Sequence, residues 1–227
     1  MDEPTGQIIE AGPDDADTAL ILLHGLGADG NDLAPLATHL AGPDRARWRF
    51  LFPDAPLRTV AMAGGMRVRA WYDIDPGAAG AAPGLSDSVA RAQELIEREI
   101  ARGVPAERIV IGGFSQGGVI ALDSFLASEH RLAGAVGLST YLHDHAAAAE
   151  RCGLANAAGR IFLAHGQADG MIPLARAATG RTTLESLGFE VRWHQYPMGH
   201  EICMDELRDL SAWLDALPGL AGAASRS

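Results

Sequence analysis

Short apolar runs recur along the chain at 18–23, 49–52, 108–111, 132–138, 161–163 and 191–196. The first lacks polar alternation, as expected for a parallel strand covered on both faces, and 49–52 is shorter but similar. Ile8 and Ile9 fit a short antiparallel edge strand. Between the runs lie segments with helical spacing. The stretch 32–40 has Asn31 or Asp32 as its N-cap. The longest, 85–102, places Val89, Leu95, Ile96 and Ile100 on one side and ends at Gly103. Further helices are predicted at 116–127, directly after the third strand, at 174–187 before Gly188, and at 203–217 before Pro218 and Gly219. The Ala-rich 145–150 fits a short helix. This β/α alternation predicts an α/β fold: a mostly parallel central sheet with helices on both faces. No internal repeat or linker interrupts it, so 1–227 is expected to be a single domain with its core at about 18–217. The Gly-, Ala- and Pro-rich stretch 60–84 reads as an irregular, functional loop, and 219–227 as a frayed tail.

Charge narrows the choice of partners. The formal net charge of −11 excludes the basic stripe that nucleic acid requires. It also disfavours adsorption to anionic membranes and, mildly, anionic substrates. No apolar run approaches the ~20 residues of a membrane span, so stable membrane insertion is not expected. Met1 to Pro4 is acidic and lacks the apolar core of a signal peptide, which makes the cytoplasm the expected location. Cys152 and Cys203 stand far apart in no paired motif, which argues against a disulfide framework and against cysteine-bound zinc.

Chemistry concentrates at Gly113, Phe114, Ser115, Gln116 and Gly117, a G-x-S-x-G pattern. In a chain with 27 glycines the pattern alone is weak, and its context decides. A strand precedes it and a helix follows, which is the setting of the nucleophile elbow of the α/β-hydrolase fold. Ser115 is therefore the expected nucleophile. A serine at its free pKa needs a base. In this fold the acid and then the histidine follow the serine along the chain. His194 lies inside the last strand, whereas His200 lies beyond it, where open α/β sheets place their sites, so His200 is the expected base. Asp169, in a turn after the fifth strand, is the expected orienting acid. Asp144 competes from a similar position after the fourth strand, while Asp123 is within a helix and Glu190 opens a strand at the wrong end. The oxyanion hole is expected from the N–H groups of Gln116 and of Leu26, the latter in the Gly-rich loop 24–30. That loop lacks the lysine and acidic partner of a nucleotide-binding loop.

Within the loop 60–71, Met62, Met66, Val68 and Trp71 offer apolar surface for an acyl chain. Met66 would adapt to chain length and Trp71 would form a rigid wall. His24 and His165 are expected to brace loops. The group His143, Asp144 and His145 is too sparse for a full ligand shell, so no metal is expected.

At these residues the chain resembles the phospholipase/carboxylesterase family, which includes bacterial carboxylesterases and acyl-protein thioesterases. The matching segments are 24–27 with Asp32, 52–56, Gly64 and Gly65 leading to 71–73, 113–118, 138–142, 165–169 and 196–200. They come in family order over residues 18–217. The resemblance implies a triad of Ser115, Asp169 and His200, backbone donors at Leu26 and Gln116, and hydrolysis of short- to medium-chain esters or thioesters without a cofactor. It implies a small-molecule ester as partner, an acyl site near Met66, Trp71 and Tyr141 overhung by the loop 60–71, and room for a homodimer. Two departures bear on substrate: His143 stands where the family has proline, and Arg58, Thr59 and Val60 replace its Pro-Val-Thr. A non-catalytic binding protein would be expected to lack a triad member. A peptidase of this fold would be expected to carry an added domain.

Overall fold

The apolar runs become the strands of one sheet. The computed structural model describes residues 6–40, 45–75 and 82–220. In chain order the strands are β1 (Ile8–Ala11), β2 (Thr18–Leu23), β3 (Trp48–Pro53), β4 (Leu57–Val60), β5 (Met66–Arg69), β6 (Ile109–Phe114), β7 (Gly134–Leu138), β8 (Arg160–Gly166) and β9 (Glu190–Tyr196). Seven of them form a sheet in the order β1-β3-β2-β6-β7-β8-β9. β1 pairs antiparallel with β3, and every other pair in this sheet is parallel. The helices are α1 (Gly30–Leu33), α2 (Leu85–Ala101), α3 (Gln116–Ala127), α4 (His145–Arg151), α5 (Leu174–Ser186) and α6 (Met204–Asp215).

Strand side chains alternate between two cores because successive Cβ atoms point to opposite faces. Ala19, Ile21 and Leu23 of β2 pack with α2, α3 and α5. Leu20 and Leu22 pack on the other face with Phe50, Phe52 and the α6 residues Leu207, Leu210 and Leu214. Both faces are covered, which is why the central strands read as continuous apolar runs.

Three elements differ from the sequence reading. α1 is one turn long and continues as a 3₁₀ turn, Ala34–Thr38. Pro35 has no N–H to extend the α-helical ladder. Its N-cap is Asp29, not Asn31 or Asp32: Asp29 Oδ1 accepts from Asn31 N (2.8 Å), and Asp32 Oδ2 accepts from Asp29 N (2.9 Å). The stretch expected to be irregular opens with a hairpin, in which Leu57 pairs with Arg69 and Val60 with Met66. Its strands, Leu-Arg-Thr-Val and Met-Arg-Val-Arg, are too polar to stand out as apolar runs. Residues 76–81 of that stretch lie outside the described residues. The start of the expected tail is packed: Leu220 is buried, and Gly219 O accepts from Arg108 Nη1. The rest of the tail, 221–227, lies outside the described residues.

The parallel strands end at one edge, where the loops after β2, β6, β8 and β9 meet. α3 follows β6 with only Ser115 between them and lies against the end of β2. Gly117 permits this contact, since a Cβ there would stand 2.2 Å from Leu23 O. Gly117→Ala is therefore expected to cost about 1–3 kcal/mol of stability, as overpacking does, read as a lower urea midpoint at unchanged m-value.

Candidate active site

Ser115 occupies a backbone conformation that few residues tolerate. Its φ is 53° and ψ −119°, outside the favoured regions for a side chain with a Cβ. Such strain costs about 1–3 kcal/mol and persists only where surroundings over-determine it. Here they do. Ser115 N donates to Leu138 O (2.9 Å), and Ser115 O accepts from Thr140 Oγ1 (2.7 Å) and from Gly118 N (3.0 Å). The strand and loop next door thus hold both peptide groups of the turn.

His200 and Asp169 come from different loops joined by backbone hydrogen bonds. Gln167 N donates to Tyr196 O (2.8 Å) and Ala168 N to Met198 O (3.0 Å). His200 Nδ1 lies 2.8 Å from Asp169 Oδ2, and His200 Nε2 lies 2.9 Å from Ser115 Oγ. An ionised carboxylate only accepts, so Nδ1 carries the proton and Nε2 presents its lone pair to the serine hydroxyl. Asp169 Oδ1 accepts from Met171 N (2.8 Å) and Ile172 N (2.9 Å). Burial pushes the Asp169 carboxyl up, but the hydrogen bonds from His200, Ile172 and Met171 outweigh it and hold it below the usual carboxylate range. His165 Nε2 donates to Ile172 O (2.9 Å) and lies 3.2 Å from Asp169 Oδ2, bracing the same turn.

The loop after β2 is drawn against Ser115. A Cβ at Gly25 would stand 3.4 Å from Ser115 Cβ. The buried His24 is hydrogen-bonded at both ring nitrogens: Nδ1 donates to Gly25 O (2.7 Å), and Nε2 accepts from Ala55 N (2.9 Å). An accepting Nε2 requires the neutral ring, and burial holds His24 below the ordinary histidine range. Trp71 Nε1 donates to His24 O (2.8 Å), and Gly27 N donates to Arg69 O (2.8 Å). The Gln116 side chain completes the clamp. Its Oε1 accepts from Trp71 N and its Nε2 donates to Tyr72 O, each at 2.8 Å.

Ser115 and His200 open into a cavity of about 630 Å³ whose apolar lining includes Leu33, Leu36, Met62, Ile74 and Ile202. That volume suits a small-molecule ligand.

A family model described as phospholipase/carboxylesterase matches residues 4–217. Acyl-protein thioesterase 1 of Yarrowia lipolytica is 37% identical over 204 residues, covering 86% of this chain and 90% of that protein. A probable carboxylesterase of Oryza sativa is 30% identical, covering 86% and 76%. Among solved structures, acyl-protein thioesterase 2 of Zea mays superposes with a TM-score of 0.81 at 26% identity, covering 93% of this chain and 98% of that one. The chain belongs to the phospholipase/carboxylesterase family. It is a serine hydrolase acting on ester bonds. Among the described residues, no helix is long and apolar enough to cross a membrane.

Of the residues singled out for this family chemistry, Ser115, His200, Leu26, Gln116 and Tyr141 line the cavity, with Asp169 buried behind His200. Two others do not. Met66 is 64% exposed on β5 and lies off the cavity. The 3₁₀ turn Ala61–Ala63 between the hairpin strands brings Met62 to the cavity instead. Trp71 is fully buried and braces the loop after β2 through His24, so it is a support and not a cavity wall. Asp144 lies 4.0 Å from Arg151, away from His200. His194 faces Asp209 across 3.3 Å. His145 bonds Thr183 Oγ1 (2.9 Å), while the His143 ring meets the edge of Tyr72. Arg176 lines the cavity, and the sequence carried no signal for it: it reads as an ordinary charge in a helix.

With Met62 at the cavity and Met66 outside it, only the first should set acyl preference. Met62→Ala is expected to change the slope of kcat/KM against chain length across acetyl to octanoyl esters, each buried methylene being worth about 0.8 kcal/mol. Met66→Ala is expected to leave that slope as in the wild type.

Proposed function

We propose that this chain hydrolyses short- to medium-chain carboxylic esters through an acyl-Ser115 intermediate, with His200 as general base and Asp169 as its orienting acid. The observation that carries the reading is the continuous hydrogen-bonded line from Ser115 Oγ through His200 to Asp169 at the floor of the cavity. In the first step Ser115 Oγ attacks the ester carbonyl while His200 Nε2 takes the hydroxyl proton. The imidazolium that forms faces an ionised Asp169. Negative charge develops on the former carbonyl oxygen, where the N–H groups of Leu26 and Gln116 are assigned as donors. Gln116 is the first residue of α3, and the N–H groups of a helix's first turn have no intrahelical partner. Collapse of this intermediate breaks the bond to the leaving group, which receives the proton from His200. Water then attacks the acyl-serine, His200 again taking the proton, and releases the acid and free Ser115.

A thioester follows the same route, because the leaving group departs before the acyl-serine is hydrolysed. The names of the fungal and maize relatives favour acyl thioesters as a second substrate class. Comparing oxygen and sulfur leaving groups on one acyl chain separates the two.

Ser115→Ala is expected to lower kcat by roughly 10⁴-fold or more with the fold intact, and a fluorophosphonate adduct should map to Ser115 by mass spectrometry. An adduct elsewhere overturns the assignment.

Asp169→Asn is expected to cost on the order of 10³–10⁴-fold in kcat by favouring the wrong imidazole tautomer, whereas Asp144→Asn should change it little. Only a neutral imidazole accepts from serine, so the rate should rise from acid toward neutral pH. Asp169, held below the usual carboxylate range, is already ionised there, so kcat/KM should show a single rising limb.

A further inference from the structure

The cavity straddles the end of the sheet, and its two arms differ in chemistry. On the α1 and α6 side, Leu33, Leu36, Ile202 and Phe114 belong to one apolar core. On the α2, α3 and α5 side, Tyr72, Tyr141 and Ile172 belong to the other, with Arg176 above them. Ser115 lies between the arms, so the acyl and leaving-group halves of a bound ester enter different surroundings.

The second arm holds unused hydrogen-bond donors. The Tyr72 and Tyr141 hydroxyls lie 2.8 Å apart, both residues being more than nine-tenths buried. Two hydroxyls carry two protons, and their mutual bond uses one. The other is free to point into the cavity. Burial and the neighbouring Tyr141 raise the Tyr72 pKa, so the Tyr72 hydroxyl keeps its proton. The Arg176 guanidinium carbon lies 3.4 Å over the centre of the Tyr141 ring. Stacking occupies the guanidinium face and leaves its in-plane N–H groups available for a carboxylate or phosphate. Among the described residues, no carboxylate pairs with Arg176. Helix stability does not account for its place either, because it is a cation in the first turn of α5, the end that disfavours positive charge. The acids on the cavity wall are engaged elsewhere: Asp32 accepts from Asp29 N (2.9 Å), and Glu201 Oε1 accepts from Gly199 N (3.2 Å).

We propose that Tyr72, Tyr141 and Arg176 form an anion subsite, so that the preferred substrates are esters carrying a carboxylate or phosphate group in the half that enters this arm. The proposal rests on the ester-hydrolase reading above and specifies its substrate class. The net charge of −11 opposes it only mildly, since the exposed Arg176 guanidinium at the cavity rim acts over a few ångströms and the rest of the surface field is screened by salt.

The test uses matched ester pairs differing only in the anion. For the acyl half, the 4-nitrophenyl monoester of adipic acid is compared with its methyl-capped diester. For the alcohol half, butyryl glycerol 3-phosphate is compared with butyryl glycerol. The reading is the anionic-to-neutral ratio of kcat/KM, in wild type relative to variant, which cancels intrinsic reactivity. Arg176→Met keeps a chain on Tyr141 and should reduce this ratio roughly ten- to hundredfold for one pair, mainly through KM, as loss of a charged hydrogen bond does. Arg176→Lys should retain part of it, and Tyr72→Phe should reduce it less than Arg176→Met. The pair that responds identifies which half carries the anion and whether carboxylate or phosphate is read. A ratio unchanged by Arg176→Met in both pairs overturns the proposal while turnover of the neutral esters leaves the hydrolase reading standing. Failure to turn over any neutral ester, with no adduct at Ser115, would remove both.

Discussion

The turn at Ser115 is the constraint around which the molecule is arranged. β6 passes into α3 through one residue, and that residue is held at positive φ. No serine adopts this conformation unaided. It persists because Leu138 O and Thr140 Oγ1 fix its peptide groups, and because Gly117 lets α3 sit on the end of β2. The same turn lifts Oγ above the sheet edge and aims the first N–H groups of α3 at the space beside it. The strain and the chemical positioning are one feature.

Around this turn, hydrogen bonding leaves one buried group charged and another neutral. Asp169 keeps its charge despite burial, because three donors converge on its two oxygens. His24, equally buried and one loop away, is held neutral by accepting from Ala55 N. A protonated ring there would break that bond and loosen the loop that brings Leu26 to the cavity beside Ser115. Trp71 and Gln116 serve the same end, tying the hairpin segment, the loop after β2 and the elbow into one hydrogen-bonded unit.

The cavity follows from the two-sided sheet. Because strand side chains alternate between faces, the walls on either side of Ser115 belong to different cores. One is aliphatic. The other ends in a tyrosine pair beneath a guanidinium. Fold and substrate preference therefore separate. The sheet sets where the serine stands, and side chains on helices packed against opposite faces set what surrounds each half of an ester.

How much of this was legible in the sequence depends on the range of the interactions involved. The parallel strands and α3 are written in contiguous apolar runs and in glycines flanking Ser115, which are local signals. Chain order and position beyond a strand pointed to His200 and favoured Asp169 over its competitor Asp144, because their loops follow predicted strands of the sheet. The polar hairpin of β4 and β5 carried no such run and was read as irregular. Met66 and Trp71 were expected in the acyl site from their apolar character in the loop after the second strand and from the family resemblance. Their directions depend on hairpin register and on a hydrogen bond to His24, both set by residues distant in the chain. Arg176 was invisible for the same reason: nothing next to it in sequence distinguishes it from a solvated charge. By itself the sequence determined the sheet, the elbow and the order of the chemical groups, since these rest on local pattern and chain connectivity. Only the tertiary structure decided which side chains wall the cavity, because that depends on how helices from separate parts of the chain pack over the two faces of the sheet.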